Sequence, residues 1–295
     1  MSGMFCRHNR LTNKCPICSR ELEENLRAQA PVRHVTVRKP GATSTPRGRA
    51  SATKSNPKRL VTRKLARAAD DGYRNPLVPG LKATADAERL AVALTQAANR
   101  LEPPGPYPYL ADEPDIEQAT WLAFLTALAP ELQPLIEETR PTWDEAELPD
   151  AKARTVSAYR AWVQRSGSQQ RAFTGEESWT PERRFDRVFE RLALPGFSRA
   201  ARYDLLTSLG AAGVYPLTAG AVHFVEDDAT TLAAKRALVS GDRLLLERRA
   251  RDLATAAELP IAALDRGLAA WGTPGEHVDL TADPAPGVAA ALALR

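Results

Sequence analysis

The sequence predicts an all-α domain preceded by a small amino-terminal zinc module. Three observations carry this. Ala, Leu and Arg, which lead the helix-propensity scale, are abundant, whereas aromatics make up only 6% of the chain. No stretch alternates apolar and polar residues long enough to build a sheet, although Ala221–Val225 is a candidate short strand. All three cysteines fall within the first eighteen residues.

The zinc module spans residues 1–26, with a short helix expected over Arg20–Arg27. Its ligand set reads Cys6-Arg-His8, then Cys15-Pro-Ile-Cys18. A Cys-x-x-Cys knuckle brings two thiolates onto one ion, and Cys6 and His8 close the tetrahedron. An odd number of cysteines argues against a disulfide framework, and a redox pair would need a βαβ context. Four protein ligands leave no open position, so Zn2+ is expected to be structural. In so small a module the metal would supply most of the folding energy.

Residues 27–66 read as a basic flexible linker, rich in Pro, Gly, Ser and Thr without apolar periodicity. Twelve Lys and Arg and no Asp or Glu lie in residues 27–67, against a net charge of +4 for the whole chain, which leaves the remainder near −8. Basicity thus belongs to one segment. Two readings of that segment stand side by side, a solubilising tether and an arm that enters a minor groove.

The helical domain is expected over residues 67–280, with a tail at 281–295. Its helices are read at Ala83–Leu101, Asp115–Leu128, Glu131–Glu138, Ala151–Arg165 and from Thr180 to about Leu192. Thr180-Pro181 supplies an N-cap followed by proline at the first helical position. The Pro-rich segment Glu102–Tyr109 interrupts the pattern, and Ser166–Glu177 reads as a polar loop. No apolar run approaches the roughly 18–20 residues of a membrane span, and no signal-peptide core is present at the start, so a cytoplasmic, nucleoid-associated protein with no membrane partner is expected.

Leu192 to Leu206 is the most informative segment of this domain. One helix ends, Leu194-Pro195-Gly196 turns the chain, and Ser198 starts a second helix. The first amides of that helix, with the Gly196 amide, make a nest for a phosphate. Gly196, Ser198, Arg199 and Arg202 are therefore the candidate DNA-binding residues, supported by Arg183, Arg184 and the basic linker.

This hairpin resembles the helix-hairpin-helix of the base-excision DNA glycosylase superfamily, with Ser198 at the position of its second glycine. The resemblance extends over residues 70–272. It is closest to the branch of α-glutamyl/putrescinyl thymine pyrophosphorylases, linked to hypermodified thymine, whose relatives include phage-defence glycosylases acting on glucosylated hydroxymethylcytosine. The pieces that carry it are Asp71-Gly72-Tyr73-Arg74-Asn75, the hairpin, Thr230–Arg236, Ser240-Gly241-Asp242 with Leu244–Arg249, and Ala263-Leu264-Asp265 with Ala270-Trp271-Gly272.

The resemblance implies a fold, a partner and a reaction: a helix-hairpin-helix glycosylase-like domain, double-stranded DNA with modified bases, and base excision to an abasic site, in a setting of phage defence. Ala200 stands where bifunctional members carry Lys, so a monofunctional enzyme without lyase chemistry is implied. The superfamily places an essential Asp roughly 22–23 residues after the first hairpin glycine, beside the pocket for a flipped base. Here that window is Thr218-Ala219-Gly220, which lacks a carboxylate. The acid is displaced to Asp227 or Asp228, or comes from Glu117 or Asp115 on another helix, or is absent. In the last case the chain is a non-catalytic DNA-binding or thymine-hypermodification protein. Asp227-Asp228 also reads as a helix N-cap, and Asp204 as a solvated or structural carboxylate. His223 is expected to be packed and hydrogen-bonded, and Tyr73-Arg74-Asn75 either touches DNA or stabilises a turn. Trp179 is the tryptophan expected to be exposed and able to stack on a base.

Overall fold

The computed structural model describes residues 68–144, 150–273 and 278–294. Every regular element among them is helical, and no strand is present. The order is α1 (Thr84–Asn99), α2 (Pro108–Ala111), α3 (Ile116–Leu128), a 3-10 turn (Pro130–Leu132), α4 (Gln133–Thr139), α5 (Asp150–Ser166), α6 (Gln169–Thr174), α7 (Pro181–Arg191), α8 (Arg199–Ala211), α9 (Ala229–Leu238), α10 (Arg243–Ala256), α11 (Ile261–Gly272) and α12 (Pro286–Ala291). None of these helices is long and apolar enough to cross a membrane.

Two hydrophobic cores organise them. The first gathers the middle of the chain around α3, which is buried continuously from Ala119 to Leu128. A helix apolar on all sides can only be stable inside. Phe124 of α3 stacks on Tyr159 of α5 at 3.7 Å and meets Phe197 of the α7–α8 turn at 5.3 Å. The two buried threonines of α3 are satisfied: Thr120 meets the Tyr215 hydroxyl at 2.7 Å, and Thr126 meets that of Tyr109 at 2.6 Å. The second core joins α1 to α9–α12, with Leu90, Leu94, Leu264, Leu268 and Trp271 fully buried. Here α1 and α11 approach closely because Gly267 has no side chain: a Cβ there would lie 2.7 Å from Leu94 Cδ2. Ile261, at the start of α11, packs against both cores.

Two local expectations give way. Ser166–Glu177 contains α6, capped by Ser168, whose Ala172 and Phe173 reach the first core. Ala221–Val225 is not a strand. The Glu247 carboxylate accepts from the Val222 and Phe224 amides at 3.0 and 2.8 Å, taking the place of a neighbouring strand. At the start of the described chain, Tyr73 donates to the Leu292 carbonyl and Asn75 to that of Ala291, so Tyr73 and Asn75 tie this turn to α12.

Candidate functional site

The α7–α8 hairpin sits where the two cores meet. Thr180 accepts from the Arg183 amide and opens α7, and Ser198 accepts from the Ala201 amide and opens α8. Leu192 and Phe197 anchor the turn in the first core. Gly196 has φ +78, and a Cβ there would come within 2.5 Å of Thr155 Oγ1. That same hydroxyl donates to the Pro195 carbonyl at 2.8 Å, so α5 clasps the turn from behind. The amides of Gly196, Ser198, Arg199 and Ala200 have no acceptor among the described residues.

In front of the turn lies a cleft of about 580 Å³. Gly196, Ser198, Ala200, Ala201 and Asp204 form its hairpin side, Tyr107, Leu128 and Lys152 extend that wall, and Asp228, Thr230, Asp265 and Arg266 face them from the second core. Its volume falls in the range of about 300–1,000 Å³ common to small-ligand pockets.

Arg199 joins the two walls. Its side chain is only 2% exposed and points inward over the Tyr203 ring. Nε donates to Asp228 Oδ2 at 2.6 Å, and one terminal nitrogen reaches Asp265 Oδ1 at 2.5 Å and Thr230 Oγ1 at 3.1 Å. The other donates to the Val222 carbonyl at 3.0 Å. Burial works against the guanidinium charge, but Asp265 and Asp228 outweigh it and raise the Arg199 pKa. Burial pushes the Asp265 carboxyl up, and its bonds to Arg199 and Thr230 only partly offset this.

Asp228 is also the N-cap of α9, accepting from the Thr230 amide at 2.7 Å. Of the acids expected from sequence, it alone lines the cleft. Asp227 lies in the exposed turn before α9, with φ +61, outside the cleft lining. Glu117 is committed elsewhere: its carboxylate accepts from the Gln169 and Gln170 amides at 2.9 and 2.8 Å and so caps α6. Asp115 caps α3.

Three of the arginines expected to contact DNA, Arg199, Arg202 and Arg184, have side chains engaged within the fold. The Arg199 guanidinium is turned inward and spent on two partly buried carboxylates, Asp228 and Asp265. Arg202 lies over Phe189 at 4.4 Å and donates to the Phe189 carbonyl, with burial lowering its pKa. Arg184 is buried and donates to three carbonyls, of Thr174, Pro216 and Trp179. Arg183, by contrast, is exposed. The cations that line the cleft are Lys152, which bonds the Leu128 carbonyl, and the exposed Arg266. Trp179 is 6% exposed, held between Gly175 and Arg191, and is not available for stacking. His223 is packed and bonded, stacking on Phe189 at 4.3 Å with Nε2 at 2.9 Å from Asp186.

The sequence carries no signal that Lys152, Asp265, Arg266 or Tyr107 lines the cleft. Nothing local marks them, since each reaches the cleft only through the meeting of α2, α5 and α11 with the hairpin. The expected zinc ligands Cys6, His8, Cys15 and Cys18, the helix expected over Arg20–Arg27 and the basic segment lie outside the described residues. Among the described residues no group of His, Cys, Asp or Glu is arranged to hold a metal.

Residues 143–273 match the model of a protein family, alpha-glutamyl/putrescinyl thymine pyrophosphorylase clade 3. The matched stretch carries α5 to α11, and therefore the hairpin, Asp228 and Asp265; it leaves out Tyr107 and Asp71–Asn75. No curated protein and no solved structure matches the chain.

Proposed function

We propose that the chain is a monofunctional DNA glycosylase that removes a modified base, hypermodified or glucosylated, to leave an abasic site, in the service of phage defence. One observation carries the reading. Asp228, at the N-terminus of α9, faces the same cleft as the open amides of the Gly196–Ser198 turn. The match to a thymine pyrophosphorylase family over the same helices supports chemistry on a modified pyrimidine.

In this mechanism the Gly196, Ser198, Arg199 and Ala200 amides hold a backbone phosphate, at the positive end of α8. Lys152 and Arg266 neutralise its neighbours. The nucleotide rotates into the cleft, where the Asp228 carboxylate faces the sugar. As the bond from C1′ to the base nitrogen breaks, its electron pair leaves with the base, and Asp228 stabilises the cationic sugar. Water adds to C1′ and its proton ends on the departing base. Arg199 keeps Asp228 in place. Ala200 offers no amine, so no Schiff base forms at that position. A structural zinc at Cys6, His8, Cys15 and Cys18 belongs to a separate amino-terminal module in this reading.

One observation favours the alternative of a non-catalytic DNA-binding or thymine-hypermodification protein. Both Asp228 oxygens already have partners, Arg199 on one and Arg199 with the Thr230 amide on the other. The two readings separate on incubation with three DNAs: glucosylated at hydroxymethylcytosine, hypermodified at thymine, and unmodified. Abasic sites with released base on a modified DNA are expected; their absence on all three sinks the enzyme reading.

A further inference from the structure

Asp204 is a cleft residue that the proposed chemistry leaves unused. It lies on α8 one turn beyond Ala200 and Ala201, and the three share the cleft wall, the two alanines leaving space in front of the carboxylate. The Tyr107 hydroxyl donates to Asp204 Oδ2 at 2.9 Å. Oδ1 has no partner among the described residues. Tyr107 is itself held firmly: its ring is 6% exposed, and the Arg100 guanidinium lies over it at 5.4 Å. Burial and the adjacent Asp204 charge push the phenol well above its ordinary range, so the hydroxyl remains a donor to the carboxylate.

An ionised carboxylate is acceptor-only. Oriented by one hydrogen bond and open on its other oxygen, Asp204 suits a ligand group that donates, and its charge repels phosphate. We propose that Asp204 reads the extruded base, its free oxygen accepting from a ring N–H or an exocyclic amino group on the pairing edge, with Tyr107 setting its orientation. This rests on the reading of the cleft as the base pocket. A site built to bond an N–H rejects an analogue that lacks it far more strongly than an apolar pocket rejects a change of size.

The test uses the full chain and duplexes bearing a 2′-fluoroarabino nucleotide, whose glycosidic bond resists cleavage. The probes are 5-hydroxymethyluracil with and without an N3 methyl group, and 5-hydroxymethylcytosine with and without two N4 methyl groups. Each stands opposite a base-free position so that no member of a pair is base-paired. The wild type should bind the N–H-bearing member of one pair about tenfold or more tightly. The pair that responds tells ring imide from amino group. Asp204→Ala should bind both members equally, and Tyr107→Phe should narrow the preference. Asp204→Asn keeps an oxygen for Tyr107 and carries the same expectation if alanine impairs folding. No preference in the wild type, or a preference retained in both Asp204 variants, overturns the assignment. Base release from unblocked DNA is scored separately. Release without an N–H preference sinks the role of Asp204 alone, and a preference without release sinks the glycosylase chemistry alone.

Discussion

At the scale of single residues, the least expected finding is the inward turn of Arg199. Its position at the start of α8 suggested a phosphate contact, yet its partners come from 29 and 66 residues further along the chain. Nothing in the local sequence encodes that pairing; it exists only once α9 and α11 close over the hairpin. Asp228 was legible as both a cap and a candidate acid, because Asp before Ala-Thr-Thr is a helix-start signal. Removing one member of a buried ion-paired group leaves the others uncompensated, so Arg199→Leu should cost about 3–5 kcal/mol in urea unfolding. A loss below about 1 kcal/mol would mean that the Asp pair tolerates the interior alone. Asp265 sets a pH dependence of definite sign. Burial raises its pKa above the ordinary 3.8, so the folded state binds this proton more tightly than the unfolded chain does. Its contribution to stability is fully present below that value and is lost as pH rises through the raised pKa. Thermal unfolding should therefore show the wild type losing ground to Asp265→Asn as pH climbs from about 4 towards neutrality. The opposite trend would mean that Arg199 dominates the carboxyl.

At the scale of elements, the hairpin was readable because its signals are local. Thr180-Pro181 starts α7, Pro195-Gly196 turns the chain, and Ser198 starts α8, all within nineteen positions. Helix α6 was not readable. It is six residues long, and its capping acceptors include Glu117, 52 residues earlier, so its polar sequence resembles a loop. The burial of Trp179 is hidden for a related reason: a tryptophan in a polar stretch gives no sign that Gly175 makes room for its ring. The clasp between α5 and the turn makes a sharp prediction. Gly196→Ala adds a left-handed conformational cost and a contact with the Thr155 hydroxyl. A loss of about 1–3 kcal/mol is expected in chemical denaturation, together with weaker binding to unmodified duplex DNA. Stability lost without any change in DNA affinity would remove the turn from the interface.

At the scale of the whole molecule, the chain separates its charges from its helical cores. The basic stretch at residues 27–67 precedes the described helices, and the remainder is net acidic. Any grip on DNA by the helical part must then come from oriented amides and a few cations at the hairpin. The all-α character was legible from composition and from the absence of alternation. The division into two cores was not, because it depends on α1 packing against α11, far apart in sequence. The amino-terminal ligand set predicts one zinc per chain by elemental analysis, lost in the Cys15→Ser, Cys18→Ser double variant; metal-free wild type would eliminate the module. Base release decides whether the cleft is a catalytic pocket. Wild type and Asp228→Asn are each incubated with glucosylated hydroxymethylcytosine DNA and thymine-hypermodified DNA, and free bases and abasic sites are counted. Asparagine is also a good N-cap, so α9 should persist in the variant. Abasic sites are expected from the wild type on one of the modified DNAs, with a loss of at least about a hundredfold in Asp228→Asn. Equal release by both proteins, or none by the wild type on either DNA, would contradict this expectation.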